Sequence, residues 1–269
     1  MNPSDPLSLV FTAYLAMAVV MAGLWLLQLR VRNASIADVG FCAGLIATAL
    51  WYATQATGEI ERKVLVAILV VLYAGRLGCY ILLNRVVGKQ EDARYRRLRE
   101  QWGRSERLKM FGYFHLQALA VAGLSLPFLV LIQNPRPPFA LIELAGLLIW
   151  MVAIAGEAMA DWQLAEFRSK SWNHDRVCRE GLWYYSRHPN YFFEWLHWWA
   201  YVVMAIGIPG WPLTWIGPVA MGWALVKVTG IPLAEAQALA SRGEDYRLYQ
   251  QTTNSFIPWW PKRQPIERE

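Results

Sequence analysis

The sequence reads as an all-α integral membrane protein with seven transmembrane helices, its N-terminus outside and its C-terminus cytoplasmic. Hydrophobic residues make up 56% of the 269, and they are gathered into blocks close to the ~20 residues that cross a bilayer as a helix. Lys and Arg cluster in every second connection between those blocks, the pattern that fixes orientation in a membrane. No run of short alternating strands suggests a barrel. One polytopic domain is expected over residues 1–269.

The first span, 7–29, is preceded by Asp5 with no basic region before it and is followed by Arg30 and Arg32. That order predicts an outward-facing first helix rather than a cleaved signal peptide. The second, 35–57, opens with Ser35 and Asp38. The third, 63–83, follows Glu59, Glu61, Arg62 and Lys63, where acids offset the bases, and ends in Leu82-Leu83-Asn84-Arg85. Nine Lys or Arg then fall between Arg85 and Lys109, ahead of the fourth span, 112–133. Only Arg136 separates this from the fifth, 138–160. Arg168, Lys170, Arg176, Arg179 and Arg187 precede the sixth, 190–208, the most polar of the set because it begins with Asn190, Glu194 and His197. The seventh, 211–231, follows a connection without charge, and Arg242, Arg247, Lys262, Arg263 and Arg268 come after it. Positive charge thus changes sides at each crossing, which favours seven spans over six or eight.

The net charge of +6 raises nucleic acid as a partner, yet its clustering at one membrane face fits anionic lipid headgroups or a phosphorylated cofactor better. Cys42, Cys79 and Cys178 have no metal-ligand spacing, so neither a disulfide nor a zinc site is expected. No Gly-x-Gly-x-x-Gly follows a strand and no phosphate-loop motif is present, so a bound dinucleotide would sit among helices and loops.

The densest chemistry lies in Gly181-Leu182-Trp183-Tyr184-Tyr185-Ser186-Arg187-His188-Pro189-Asn190-Tyr191-Phe192-Phe193-Glu194-Trp195. Polar groups at a membrane edge need partners, because an unpaired one in hydrocarbon costs several kcal/mol. Asn190 and Glu194 stand one helical turn apart, an amide and a carboxylate able to bracket a carboxamide; a capping pair is the plainer alternative. This segment resembles the C-terminal signature of the steroid 5α-reductase superfamily, in its bacterial branch of uncharacterised reductase-like membrane proteins. The likeness extends to Gly156-Glu157-Ala158-Met159-Ala160-Asp161-Trp162-Gln163-Leu164-Ala165-Glu166-Phe167-Arg168, to Leu82-Leu83-Asn84-Arg85 and to Phe256-Ile257-Pro258. It covers most of the chain after about residue 70. The Asn-Tyr-x-x-Glu element has relatives in isoprenylcysteine methyltransferases and sterol reductases; the Asp161-to-Arg168 spacing and the Leu-Leu-Asn-Arg end point to reductases.

The resemblance implies an NADPH-dependent enzyme that reduces the 4,5 double bond of a 3-oxo-4-ene steroid or a similar lipophilic enone. It places the catalytic pair that polarises the ketone at Asp38 and Tyr73, with Asp where the family has Glu. It carries cofactor contacts onto Arg76, Asn84, Asp161, Arg168, Asn190 and Glu194. Arg176 and Arg179 are candidates for a 2′-phosphate, which a planar guanidinium grips well. His188 is expected to orient its loop or meet phosphate. Plainer roles compete: an N-cap for Asp38, a C-cap for Asn84, a snorkelling Arg76, a solvated salt bridge for Asp161 and Arg168. Tyr80 and Glu235 are secondary candidates, and Asp92-Ala93-Arg94-Tyr95 resembles a stretch of the bacterial branch with no role that can be derived. Expected partners are a lipophilic substrate and membrane lipids, with no nucleic acid and no metal, in what the resemblance implies is a bacterial inner membrane with the site open to the cytoplasm. A membrane methyltransferase using S-adenosylmethionine is the rival enzyme. A lipid-binding or transport protein is the rival outside catalysis, though no inverted repeat supports it.

Overall fold

The computed structural model describes residues 5–137, 139–173 and 175–262; Arg263 and Arg268 lie outside them. All regular structure among the described residues is helical. In order these are α1 (Pro6–Val31), α2 (Ile36–Gln55), α3 (Ile60–Ile81), α4 (Ala93–Trp102), α5 (Glu106–Leu124), α6 (Leu126–Ile132), α7 (Leu141–Ser169), α8 (Leu182–Tyr185), α9 (Pro189–Met204), α10 (Ile216–Trp223) and α11 (Ile231–Thr252). Among the described residues, six helical stretches are long and apolar enough to cross a membrane: Pro6–Val31, Ile36–Gln55, Ile60–Val86, Ala93–Ile132, Leu141–Ser169 and Trp211–Thr252. The expected sixth span is α9, only 16 residues long, or about 24 Å at 1.5 Å per residue. That falls short of the ~30 Å of hydrocarbon. Large exposed apolar side chains such as Leu7, Phe11, Val19 and Leu26 on α1, Leu72 on α3 and Leu148 on α7 are compatible with a membrane protein.

The chain divides into two compact units, residues 1–143 with 205–216, and residues 144–204 with 217–269. In the first, α1 starts at Asp5, whose carboxylate accepts from the Ser8 amide at 3.2 Å, with Pro6 in the first turn where its missing N–H is harmless. α1 buries one residue per turn, Leu9, Ala13, Met17 and Met21, and of these Met17 and Met21 lie against Gly44 and Gly40 of α2. A Cβ on Gly44 would stand 2.5 Å from Met17 Cε, and one on Gly40 would strike Leu24, so the small-xxx-small pair sets how closely the two helices approach. The expected fourth span is two helices, α5 and α6, broken at Ser125. Pro127 in the first turn of α6 cannot donate a helical bond, and buried Ser125 Oγ is 3.0 Å from Tyr52 Oη. Arg62, 2% exposed, pairs with Glu143 at 2.7 Å rather than with its neighbours Glu59 and Glu61. Its remaining donors reach the Asn134, Arg136 and Pro137 carbonyls at 2.8, 2.9 and 3.0 Å, so one buried guanidinium closes the α6–α7 connection.

In the second unit α9 packs on α7 and α10. Gly156 of α7 lies under the Phe193 ring, and Gly217 and Gly222 lie under Trp198 and Trp195. The Trp195 indole donates to the Pro218 carbonyl at 2.9 Å. Among the described residues, no disulfide joins Cys42, Cys79 and Cys178.

Candidate functional site

α7 continues nine residues past the expected end of its span. At about 43 Å it is longer than the hydrocarbon is thick, so Asp161 and Arg168 ride on the same helix as the membrane segment. Gln163, on this end, accepts from the Leu182 amide at 2.9 Å, and the Trp183 indole donates to the Ala160 carbonyl at 2.9 Å. These bonds lay the signature segment along α7. Gly181 has φ +57° and a Cβ there would strike the Gln163 side chain, so the turn requires glycine. Pro189 then opens α9, bringing Asn190 to α7: its Nδ2 donates to Asp161 Oδ1 at 3.1 Å. One turn deeper on each helix lie Glu157 and Glu194, 5% and 8% exposed. His197 is fully buried, with Nδ1 2.7 Å from the Glu194 carbonyl oxygen. A polar seam therefore runs along the α7–α9 contact.

A second network fixes the segment from its other side. The Arg187 guanidinium pairs with Glu235 of α11 at 2.6 Å and donates to the Gln250 carbonyl at 2.9 Å and the Thr253 carbonyl at 2.5 Å. Gln250 Nε2 donates to the other Glu235 oxygen at 2.8 Å. His188 Nε2 lies 3.4 Å from Glu235, and its ring stacks on Tyr191 at 5.4 Å between centroids. Burial pushes the His188 imidazole below its ordinary range; nearby Glu235 opposes this and Arg187 adds to it. Tyr249 Oη donates to the Trp183 carbonyl, closing the same corner. Burial also pushes the Cys178 thiol up, favouring its neutral form.

In the first unit the chemistry gathers at the ends of α2, α4 and α5. Asp38 accepts three hydrogen bonds: Oδ2 takes Arg94 Nη2 at 2.9 Å, and Oδ1 takes Tyr95 Oη at 2.7 Å and Gln117 Nε2 at 3.4 Å. Asp92 caps α4, accepting from the Arg94 amide at 2.9 Å, and pairs with Arg85 at 3.2 Å. Burial pushes its carboxyl up, but the hydrogen bonds and charge of Arg94 and the charge of Arg85 prevail and hold it below the ordinary range. Glu91 accepts from the Ala34 amide at 2.7 Å and pairs with Arg99 at 2.8 Å; Arg99 also reaches Gln28 at 2.7 Å and binds Glu106.

Residues 24–253 match the family model described as "Protein of unknown function (DUF1295)". The chain belongs to that family. No curated protein and no solved structure matches it. The matched stretch takes in the Asp38 network, the α7–α9 seam and the Arg187–Glu235 network alike.

Within this family member, two expected site residues, Asp161 and Asn190, are in direct contact, and Glu194 lies one turn below. Arg168 and Arg176 present exposed side chains. Arg179, expected to meet a 2′-phosphate, is held at 2.5 Å by Asp245, whose other oxygen accepts from the Val177 amide at 3.0 Å. Arg176 offers its backbone carbonyl to Arg242 at 2.9 Å. His188 takes the loop-orienting place. Asn84 donates to the Tyr80 carbonyl at 2.9 Å, the helix-ending alternative, within a π-helical turn over Leu82–Val86. Tyr73 is wholly buried on α3, and Arg76, three residues on, is half-buried. The partners of Asp38 are residues that sequence reasoning left without a role, Arg94 and Tyr95. Glu157 and Arg187 carry no individual role in the sequence, although an acid inside a span is itself a signal.

Proposed function

We propose that this chain is an NADPH-dependent reductase of a lipophilic enone such as a 3-oxo-4-ene steroid, acting in lipid or steroid metabolism. On this reading it makes seven crossings of a bacterial inner membrane, the short α9 accommodated by local thinning of the bilayer, with the N-terminus outside and the site open to the cytoplasm. The observation that carries the reading is the 3.1 Å bond between Asn190 and Asp161, which unites two residues assigned to one ligand by their separate motifs. The residue types suit NADPH. An amide and carboxylates at the α7–α9 seam match a carboxamide, and exposed Arg168 and Arg176 match phosphates. When bound, the cofactor supplies the hydride that adds to the β-carbon.

The chain's own residues would do the rest. Asn190 and Glu194 orient the nicotinamide face, while Asp161 fixes the Asn190 amide and so decides which of its groups faces the ligand. Arg76 and Asn84 are further cofactor contacts on this reading. Negative charge develops on the ketone oxygen, and a donor aimed there lowers the barrier. Tyr73 has that role. Asp38 completes the catalytic pair, and its bond to Tyr95 makes it an anchor whose effect is exerted through position. A proton from solvent completes the α-carbon.

The test is loss of NADPH absorbance by purified protein offered 3-oxo-4-ene steroids. Asn190→Ala should weaken NADPH binding about 10-fold or more, the loss of one or two polar contacts. Unchanged affinity would remove the nicotinamide assignment, and saturable binding of S-adenosylmethionine in place of NADPH would install the methyltransferase.

A further inference from the structure

The residues after α11 fold back into a pinned loop. The Lys262 amide donates to the Thr252 carbonyl at 2.7 Å, closing residues 253–261. Between those ends, the Arg187 amide donates to the Asn254 carbonyl at 2.8 Å and the Trp259 amide to the Tyr185 carbonyl at 2.9 Å. Ser186 Oγ donates to the Phe256 carbonyl at 2.8 Å. Phe256 packs edge-on against Trp195 and Phe192, at 5.5 and 6.0 Å between ring centroids. A loop closed at its base and pinned along its length to the 185–195 segment is an ordered element rather than a tail.

This loop and the end of the last apolar helix border a shallow, open groove of about 420 Å³, lined by Val226, Asn254, Ser255, Phe256, Ile257 and Trp259. Its walls are mainly apolar, with Asn254 and Ser255 as the two polar side chains, so it offers an open strip on which an extended apolar chain can lie. Trp223, Trp259 and Trp260 are 64%, 68% and 68% exposed. Exposed Trp beside an apolar helix is the composition of the membrane–water boundary. Lys227 and Lys262, both exposed, flank the lining residues in sequence. Neither 223–230 nor 253–262 contains an acid, so the charged side chains these two stretches carry are Lys227 and Lys262 alone.

We infer that this groove binds an anionic phospholipid, one acyl chain lying along Val226, Phe256 and Ile257 and its phosphate meeting Lys227 and Lys262. Neutral lipid would gain the apolar contact alone; the lysines add the preference for negative charge, each roughly fivefold near an anionic surface. The inference is independent of the reductase reading, since it needs neither cofactor nor substrate. Because the wall is hydrogen-bonded to Tyr185, Ser186 and Arg187, an occupied groove also braces the segment that leads into Asn190.

The test uses the full chain in nanodiscs of phosphatidylglycerol mixed with phosphatidylcholine, then gentle detergent release and native mass spectrometry. The expected result is one retained phosphatidylglycerol. Val226→Trp, which fills the groove, should lose it. Lys227→Glu with Lys262→Glu should retain lipid but reduce the preference for phosphatidylglycerol by more than 10-fold. If Val226→Trp does not fold, the lysine variant decides, since both side chains are exposed. Equal retention of the two lipids by the unmodified protein, an unchanged preference in the lysine variant, or full retention by folded Val226→Trp would overturn the inference. So would a non-phospholipid lipophile, or a second copy of the chain, in the groove.

Discussion

The α7–α9 seam and the α4 connection use the same residue types to opposite ends. At the seam, Asp161 and Asn190 share one hydrogen bond, and each comes from a different motif assigned to a ligand. At α4, the acids Asp38, Glu91, Asp92 and Glu106 are each paired with Arg94, Arg99 or Arg85. The seam is where the proposed cofactor contacts gather, whereas the ion pairs at α4 tie the ends of neighbouring helices together. A charged residue at a membrane edge therefore marks a place where something must be bound, and only its partners say whether that thing is ligand or protein.

The sharpest way to break this comparison is Tyr73→Phe. Loss of a donor to a developing oxyanion should lower kcat by about 10²–10⁴-fold while NADPH affinity stays within about twofold; a matching loss of affinity would make Tyr73 structural. Next in size is Asp161→Asn combined with Asn190→Ala. Each alone should weaken NADPH about 10-fold, and the double variant should cost less than the product of the two, because residues in one hydrogen bond couple. Full additivity, read by titration calorimetry, would place them in separate roles.

On the α4 side, Arg94→Ala should lower stability by about 1–3 kcal/mol, since it strands an Asp38 side chain only 14% exposed. Arg179→Ala removes a more exposed pair, 34% and 43%, and should cost under about 1 kcal/mol. Thermal midpoints in one detergent compare the two; equal losses would erase the distinction between a buried tie and a solvated one.

The smallest effect is the pH response of His188. Its folded-state value lies below the ordinary 6.5, so the unfolded chain binds a proton that the folded one resists. This contribution is fully present above about pH 6.5 and is lost as pH falls toward the depressed value. His188→Gln should flatten that part of the profile, and an unchanged slope would assign it to other groups. Asp92 acts in the same direction but at lower pH, below the ordinary carboxylate range.

The apolar blocks were legible because hydrocarbon thickness sets helix length. The first three expected spans coincide with helices to within a few residues, whereas the fourth is two helices, the fifth runs nine residues further and the seventh holds an α-helix of only eight residues, Ile216–Trp223. α9 was less legible: its length was set by turns after Met204, where apolar letters continue but the helix does not. Pro127 could have announced the α5–α6 break. The contact of Asp161 with Asn190 was not legible; the resemblance assigned both to a cofactor without setting them side by side. The partners of Asp38, Arg179 and Arg187 were not legible, since they lie 56, 66 and 48 residues away. Charge states that a partner is needed without naming it, and Asp92-Ala93-Arg94-Tyr95 shows its purpose only once α4 is laid beside α2.

The central claim is that the α7–α9 seam serves a nicotinamide dinucleotide. Calorimetric titration of the purified chain, once with NADPH and once with S-adenosylmethionine, tests it most directly. The account predicts saturable NADPH binding that Asn190→Ala weakens, and no heat from S-adenosylmethionine; saturable S-adenosylmethionine binding with none for NADPH would contradict it.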